Sequence, residues 1–314
     1  MLVTGGAGFI GARLAQALVD RGDTVHLLVR PTTDLWRIAG LAGRAAVHVV
    51  ADDSDLPRLL DAAAPEHVYH LAATTRAPAG PDMGDVADSL ADLNRLMALV
   101  VAAARSRRPP RLLVRAGSLA EYGPGPAPFV ESQREQPLTP YAAMLVAGTV
   151  NLAMLRPRLP FAAVTARLAL VYGPGQSTQF LLPALIRNCL AGLPTFLDRP
   201  CDRRDLLFID DAVTGLLRFG TAAGALPPVV NLATGKAPQM IEVASMVTEA
   251  VGASPALVGM GDPRPAGGVA YLCGSTALAA DHLGWRARTD LPAGIAATVA
   301  AMGAAPTTRE LAPC

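Results

Sequence analysis

The 314-residue chain is 51% hydrophobic and 17% charged, with a formal net charge of +1. It is long enough to bury a large core, and so even a balance argues against a nucleic-acid or membrane-surface binder held by electrostatics. No apolar run reaches the roughly 18 residues that a membrane-spanning helix needs, and the opening residues read as a strand, not a signal peptide.

Cys189, Cys201, Cys273 and Cys314 are scattered without C-x-x-C spacing, which fits reduced thiols in a cytoplasmic protein. The histidines at 26, 48, 67, 70 and 282 share no helical face, so no metal site is expected. Lys236 is the only lysine; the remaining positive charge is arginine.

In chain order, MLVT predicts a short apolar strand, followed by glycines and then a helix with Ile10, Leu14 and Leu18 on one face. DTVHLLVR, AAVHVVADDSD and HVYHLAA predict three more strands. VADSLADLNRLMALVVAAARS predicts a long helix with Val86, Leu90, Leu93, Met97, Val100 and Val101 on one broad stripe. PRLLVRAGS predicts a fifth strand, residues 141–155 a helix apolar nearly all round, and FAAVTARLALVYG a sixth strand. Continuously apolar strands alternating with helices predict an α/β fold, a doubly wound parallel sheet covered on both faces. Beyond residue 173 the segments shorten, with helices predicted near 179–191, 210–219 and 240–251. The expected division is a dinucleotide-binding domain over 1–170, with a returning segment near 204–222 that includes a strand in RDLLFI. A smaller, mixed, interleaved substrate domain over 171–314 completes it. Asp210 and Asp211 are expected to cap a helix.

Gly5, Gly8 and Gly11 space as G-x-x-G-x-x-G between the first strand and the first helix. Glycine permits the tight turn, close approach of backbone to a pyrophosphate and close helix–sheet packing, while the helix N-terminus faces the phosphates. Nineteen residues past Gly11, where an acid would bind the adenosine ribose hydroxyls, stands Arg30, followed by Pro31, Thr32 and Thr33. An arginine there suits a 2′-phosphate, so NADP(H) is favoured, with NAD(H) possible; a solvated arginine at a strand end is the plainer alternative.

In LTPYAAMLVAGT, Thr139 and Pro140 open a helix and Tyr141 follows at its mouth. A tyrosine so placed is often a proton donor with a lysine at i+4, but that place is Leu145.

Together, TGGAGFIG, ADDSD, YHLAA, AGSLAEYG, PYAAM, VYGPG, RRDLLFIDDAV, VVNLATG and DHLGW are similar in order and spacing to the extended short-chain dehydrogenase/reductases, which modify nucleotide sugars. The likeness spans essentially the whole chain. It implies a Rossmann domain for the cofactor, with Gly5, Gly8, Phe9, Ile10 and Gly11 at the dinucleotide, Asp52 and Asp53 near the adenine, and Leu71, Ala72 and Ala73 lining the cofactor. It implies catalytic Ser118 and Tyr141, the latter also touching the cofactor, and substrate contacts at Ser118, Leu119, Arg204 and Arg264, the arginines gripping a diphosphate. It also implies a homodimer through helices near 86–105 and 141–155, for which burial within the monomer is the alternative.

The departures carry information too. Leu145 replaces the family's lysine, Leu170 replaces an asparagine that touches substrate, and Asp92 replaces another asparagine. Leu119 and Ala120 stand where 4,6-dehydratases carry an Asp-Glu pair, and Glu121 falls one step late, which argues against that reaction. Without a lysine, a tyrosine of pKa about 10 is ionised in only about one molecule per thousand at pH 7. It is then a poor base but a competent acid. The expected activity is therefore an NADPH-dependent reductase of a 4-keto-(deoxy)sugar nucleotide, with Ser118 polarising the carbonyl and Tyr141 protonating it. An NAD-dependent nucleotide-sugar epimerase or dehydratase, and a non-catalytic cofactor-binding homologue, remain the alternatives.

Overall fold

The computed structural model describes residues 1–75, 81–261 and 268–304. The predicted strand–helix alternation appears as β1 (Leu2–Thr4), α1 (Phe9–Asp20), β2 (His26–Val29), β3 (Ala46–Val49), α2 (Leu56–Ala63), β4 (His67–His70), α3 (Gly84–Arg105), β5 (Leu112–Ser118), α4 (Pro140–Leu155) and β6 (Ala162–Leu168). The C-terminal part adds β7 (Leu170–Tyr172), α5 (Leu181–Leu190), β8 (Thr195–Leu197), β9 (Arg203–Arg204), β10 (Leu206–Phe208), α6 (Ile209–Arg218), β11 (Val229–Leu232), α7 (Met240–Val251), β12 (Val258–Met260), β13 (Tyr271–Leu272), α8 (Ala277–Leu283) and α9 (Leu291–Gly303).

Among the described residues, seven strands form one parallel sheet in the order β11-β6-β5-β4-β1-β2-β3. Its central strands are buried on both faces, as the helix-covered parallel sheet requires. Leu14, Leu18, Val213, Leu216 and Leu283, from α1, α6 and α8, cover one face. Leu56, Leu60, Leu96, Leu99 and Leu152, from α2, α3 and α4, cover the other. A third cluster joins α5, α7 and α9 through Ile186, Val243 and Ile295.

Four features differ from the sequence reading. The stretch 161–173 is two strands. β6 runs in the main sheet beside β5, in register from Leu112↔Ala162 to Ser118↔Leu168. After Ala169 the chain leaves the sheet, and β7 pairs with β10. RDLLFI therefore does not return a strand to the main sheet; the returning strand is β11, paired with β6. On α3 the buried positions are Ser89, Asp92, Leu96, Leu99, Val100, Ala102 and Ala103. Of the expected apolar stripe, Val100 is buried and Met97 packs on the core, whereas Leu90 and Val101 are exposed. The cap of α6 is Phe208 instead of an aspartate. Asp210 pairs with Arg13 of α1, and Asp211 accepts the backbone N–H groups of Arg288 and Thr289, so both tie elements together.

Candidate active site

The sheet order reverses direction between β1 and β4, the switch point at which α/β folds place ligands beyond the carboxyl ends of the strands. Gly5, at φ +68°, needs its glycine twice: a Cβ would stand 2.8 Å from the backbone nitrogen of Ala72. At Gly11 a Cβ would lie 2.1 Å from the carbonyl oxygen of Gly5, so only glycine lets α1 press this closely on the loop. Gly8 is exposed and caps α1, which opens with no capping side chain and no acidic residue in its first turn. Such an N-terminus is a ready anion site, and the cradle fits a dinucleotide pyrophosphate. Phe9 and Ile10 are half-buried and pack into the core. Leu71, Ala72 and Ala73 continue β4 on the opposite wall, also half-buried.

Arg30 is exposed at the end of β2, and its N–H donates to the hydroxyl of Thr33, which is thereby engaged in the turn. Asp52 and Asp53 follow β3, the strand next to β2. Asp52 caps a short turn by accepting the N–H of Ser54, a hydrogen bond that holds its carboxyl below its ordinary value. The residues expected at the adenosine end thus gather at the ends of adjacent strands.

The reaction end is built on β5 and α4. Ser118 ends β5 half-buried, its hydroxyl accepting the N–H of Ala120 in the short turn Leu119–Tyr122. Leu119, expected to touch substrate, is instead fully buried in the core against Gly274. Alternation past the strand end turns its side chain inward. Glu121 is likewise at 0% exposure: its carboxylate accepts the Ser118 N–H, the Thr149 hydroxyl and the Arg167 Nε. Gly117 makes that inward turn possible, since a Cβ there would meet Glu121 Oε1 at 2.3 Å.

Thr139 caps α4 by accepting the N–H of Ala142, and Pro140 fills the first helical position, so Tyr141 stands in the opening turn. Tyr141 is half-buried, and its phenol is pushed up to about 12. Burial is the main cause; Arg115 pulls the other way, while Glu121 and Asp92 add to the rise. Leu145 is buried beside a cavity of about 10 Å³ lined by His70, Ala72, Asp92, Arg115 and Met144. Asp92 accepts the N–H of Thr74 and pairs with Arg95.

Arg204, on β9, is half-buried and shares the carboxylate of Asp202 with Arg199. Arg264 lies outside the described residues. The sequence reading missed Arg115 and the link from Glu121 to Arg167. Their signal was a charged residue inside each of two otherwise apolar strands, LLVRAGS and AAVTARL.

Residues 1–233 match the description of the NAD dependent epimerase/dehydratase family. The chain is 32% identical over 310 residues to UDP-glucose 4-epimerase of Mycolicibacterium smegmatis, covering 95% of this chain and 96% of that one. It is 32% identical over 258 residues to UDP-glucuronate 4-epimerase 1 of Arabidopsis thaliana, a match that covers 77% of this chain but spans only 59% of the plant protein's length. Among solved structures, UDP-glucose 4-epimerase of Thermus thermophilus in complex with NAD superimposes with a TM-score of 0.80 at 27% identity, covering 97% of this chain and 99% of that one. The chain therefore belongs to the NAD dependent epimerase/dehydratase family of extended short-chain dehydrogenase/reductases.

Proposed function

We propose that the chain is an NAD(H)-dependent enzyme acting at a secondary alcohol carbon of a nucleotide-linked sugar, in the manner of a 4-epimerase. The observation that carries this is likeness over nearly the full length of both chains to a UDP-glucose 4-epimerase. The earlier preference for NADP(H) rested on Arg30, whereas the related complexes are with NAD. Bound nicotinamide would take up and return a hydride. In this reading the Ser118 hydroxyl orients the sugar oxygen while Tyr141 moves the proton on and off it, and Arg204 attracts the diphosphate. Dehydratases also occur among the relatives. Here Glu121 is locked into a buried ion pair and Leu119 into the core, which leaves no acid–base pair beside Ser118 among the described residues for a dehydration.

A second reading, reduction of a keto-sugar nucleotide, is favoured by one observation: the Tyr141 phenol, pushed up to about 12, is held protonated. Incubation with NAD⁺ and UDP-glucose or UDP-glucuronate, followed by proton NMR of the anomeric signals, separates the two. A 4-epimer supports the first. Its absence, with turnover of a 4-keto-sugar nucleotide by NADH, supports the second. Failure to bind any nicotinamide dinucleotide would sink both.

The reading includes a homodimer through α3 and α4, whose outward faces expose Leu90, Val101, Val150 and Met154. Analytical ultracentrifugation of Val150→Asp with Met154→Asp is expected to show a monomer; an unchanged mass would remove this interface.

A further inference from the structure

The proposed chemistry leaves Arg115, at the reaction end, without a role. It stands in the middle of β5 and is 1% exposed. Its Nη1 donates to the Thr149 hydroxyl at 2.9 Å, and its Nη2 is buried without a hydrogen-bond partner. Its link to a carboxylate runs through Thr149, whose hydroxyl donates to Glu121 at 2.8 Å. A buried guanidinium held this indirectly is costly, and a chain that keeps one there without a task is at a disadvantage to one with an apolar residue.

The surroundings are shaped for it. Gly148, mid-way along α4, would place a Cβ 2.6 Å from Arg115 Nη2. The helix therefore carries a residue about 1 kcal/mol worse than alanine at the point where the guanidinium packs. Arg115 also lines the small cavity beneath Leu145, with His70, Asp92 and Met144. A side chain at 145 reaches this cavity from the helix above; Arg115 reaches it from the strand below.

We propose that Arg115 is the positioning residue for Tyr141, supplying from β5 the positive charge that Leu145 cannot supply from α4. The inference deepens the proposed reaction and rests on Tyr141 being its proton-transfer group. Tyr141 stands one turn before Leu145 on α4, and Arg115 packs on that helix at Gly148 and lines the cavity beneath Leu145, so its charge favours the phenolate left when Tyr141 gives up its proton and the phenolate that must take one from an alcohol. The other groups around Tyr141 work against that ionisation: Glu121 from the turn after β5 and Asp92 from α3 are both negative. His70, from β4, is pushed down to about 3 by burial and by Arg115 and so is neutral near pH 7. Arg115 is thus the cation acting on the phenol, and the two charges sense each other reciprocally.

The test is a titration of the Tyr141 phenol by NMR of ¹³Cζ-labelled tyrosine, assigned with Tyr141→Phe and read with and without NAD⁺, over the range where circular dichroism shows the native fold. Arg115→Met, and Arg115→Gln, which keeps a donor for Thr149 should the first not fold, are expected to shift the titration upward, leaving the labelled phenol less ionised than in the wild type at every pH within that range. Arg115→Lys should hold it near the wild-type value, and Leu145→Lys added to a neutral variant should bring it back down. A titration that the neutral variants leave unmoved, or that Arg115→Lys raises as much as they do, overturns the proposal. Turnover of UDP-sugars is measured separately: its failure, with the titration shifted as expected, removes the reaction and leaves the assignment of Arg115 standing.

Discussion

The glycine loop after β1 and the corner where α4 meets β5 share the wall formed by Ala72, yet they are made of different material. The loop is backbone: its fit depends on the absence of side chains at Gly5 and Gly11, and α1 presents bare N–H groups. The corner is buried charge: Arg115, Glu121 and Arg167 are each at most 1% exposed, and Thr149 connects the first two. A backbone site is fixed by local sequence and tolerates change around it. A site of buried charges is fixed by partners far apart in the chain, and removing one of them strands another.

The largest effect that would sharpen this contrast is expected at Tyr141. Tyr141→Phe should lower turnover of a nucleotide sugar by about 10²- to 10⁴-fold, while NAD⁺ binding followed by fluorescence stays intact. Loss of binding instead would show the two ends to be a single unit. Next, Glu121→Ala strips buried Arg167 of one of its two carboxylate partners, leaving Glu135, at a cost of about 1–3 kcal/mol in urea unfolding. A cost under about 1 kcal/mol would mean that water reaches the pair.

At the other end, Gly11→Ala forces a methyl onto the Gly5 carbonyl. It should cost about 1–3 kcal/mol by overpacking and abolish detectable NAD⁺ binding by calorimetry. Unchanged affinity would break the account of the loop.

His70 gives a pH test of burial at the corner. Its folded value, pushed down to about 3, lies below the ordinary 6.5, so at acid pH the unfolded chain binds the proton first. Its stabilising contribution is complete above pH 6.5 and falls by up to about 1.4 kcal/mol per unit as the pH drops from there toward 3. Urea unfolding between pH 7.5 and 5 should show a shallower slope for His70→Asn than for the wild type. The smallest effect belongs to Asp210→Ala. The Arg13–Asp210 pair has side chains 52% and 45% exposed, and its loss should cost about 0.2–1 kcal/mol.

The same contrast explains what could be read from the sequence. The glycine spacing, the apolar strands and the Thr139–Pro140 helix start are local signals, and each appears where its residues placed it. Ser118 and Tyr141 were legible because each sits at the end of an element. Glu121 was read as misplaced because its register was compared with a catalytic pair, when it answers to Arg167 on the neighbouring strand. The stripe of α3 was legible as apolar, but the buried Asp92 and Ser89 were not: a polar inner face makes sense only once Thr74 is seen to need the Asp92 carboxylate. The strand pairing of RDLLFI could not be read, since a three-residue strand carries no information on its partner.

The strand β11 is synthesised more than sixty residues after β6, the neighbour it must cover. Until Val229–Leu232 emerges, the ladder of β6 ends in open donors and acceptors, a template for the wrong chain. Tyr122 donates to Asn231 Oδ1, and Glu131 receives the Asn231 N–H, so the late arrival is clasped by groups already in place beneath Ser118. The assembly of the sheet and the seating of the serine turn are thereby made one event, and a nascent chain stopped short of residue 229 carries an unfinished edge and a loose Ser118 turn together.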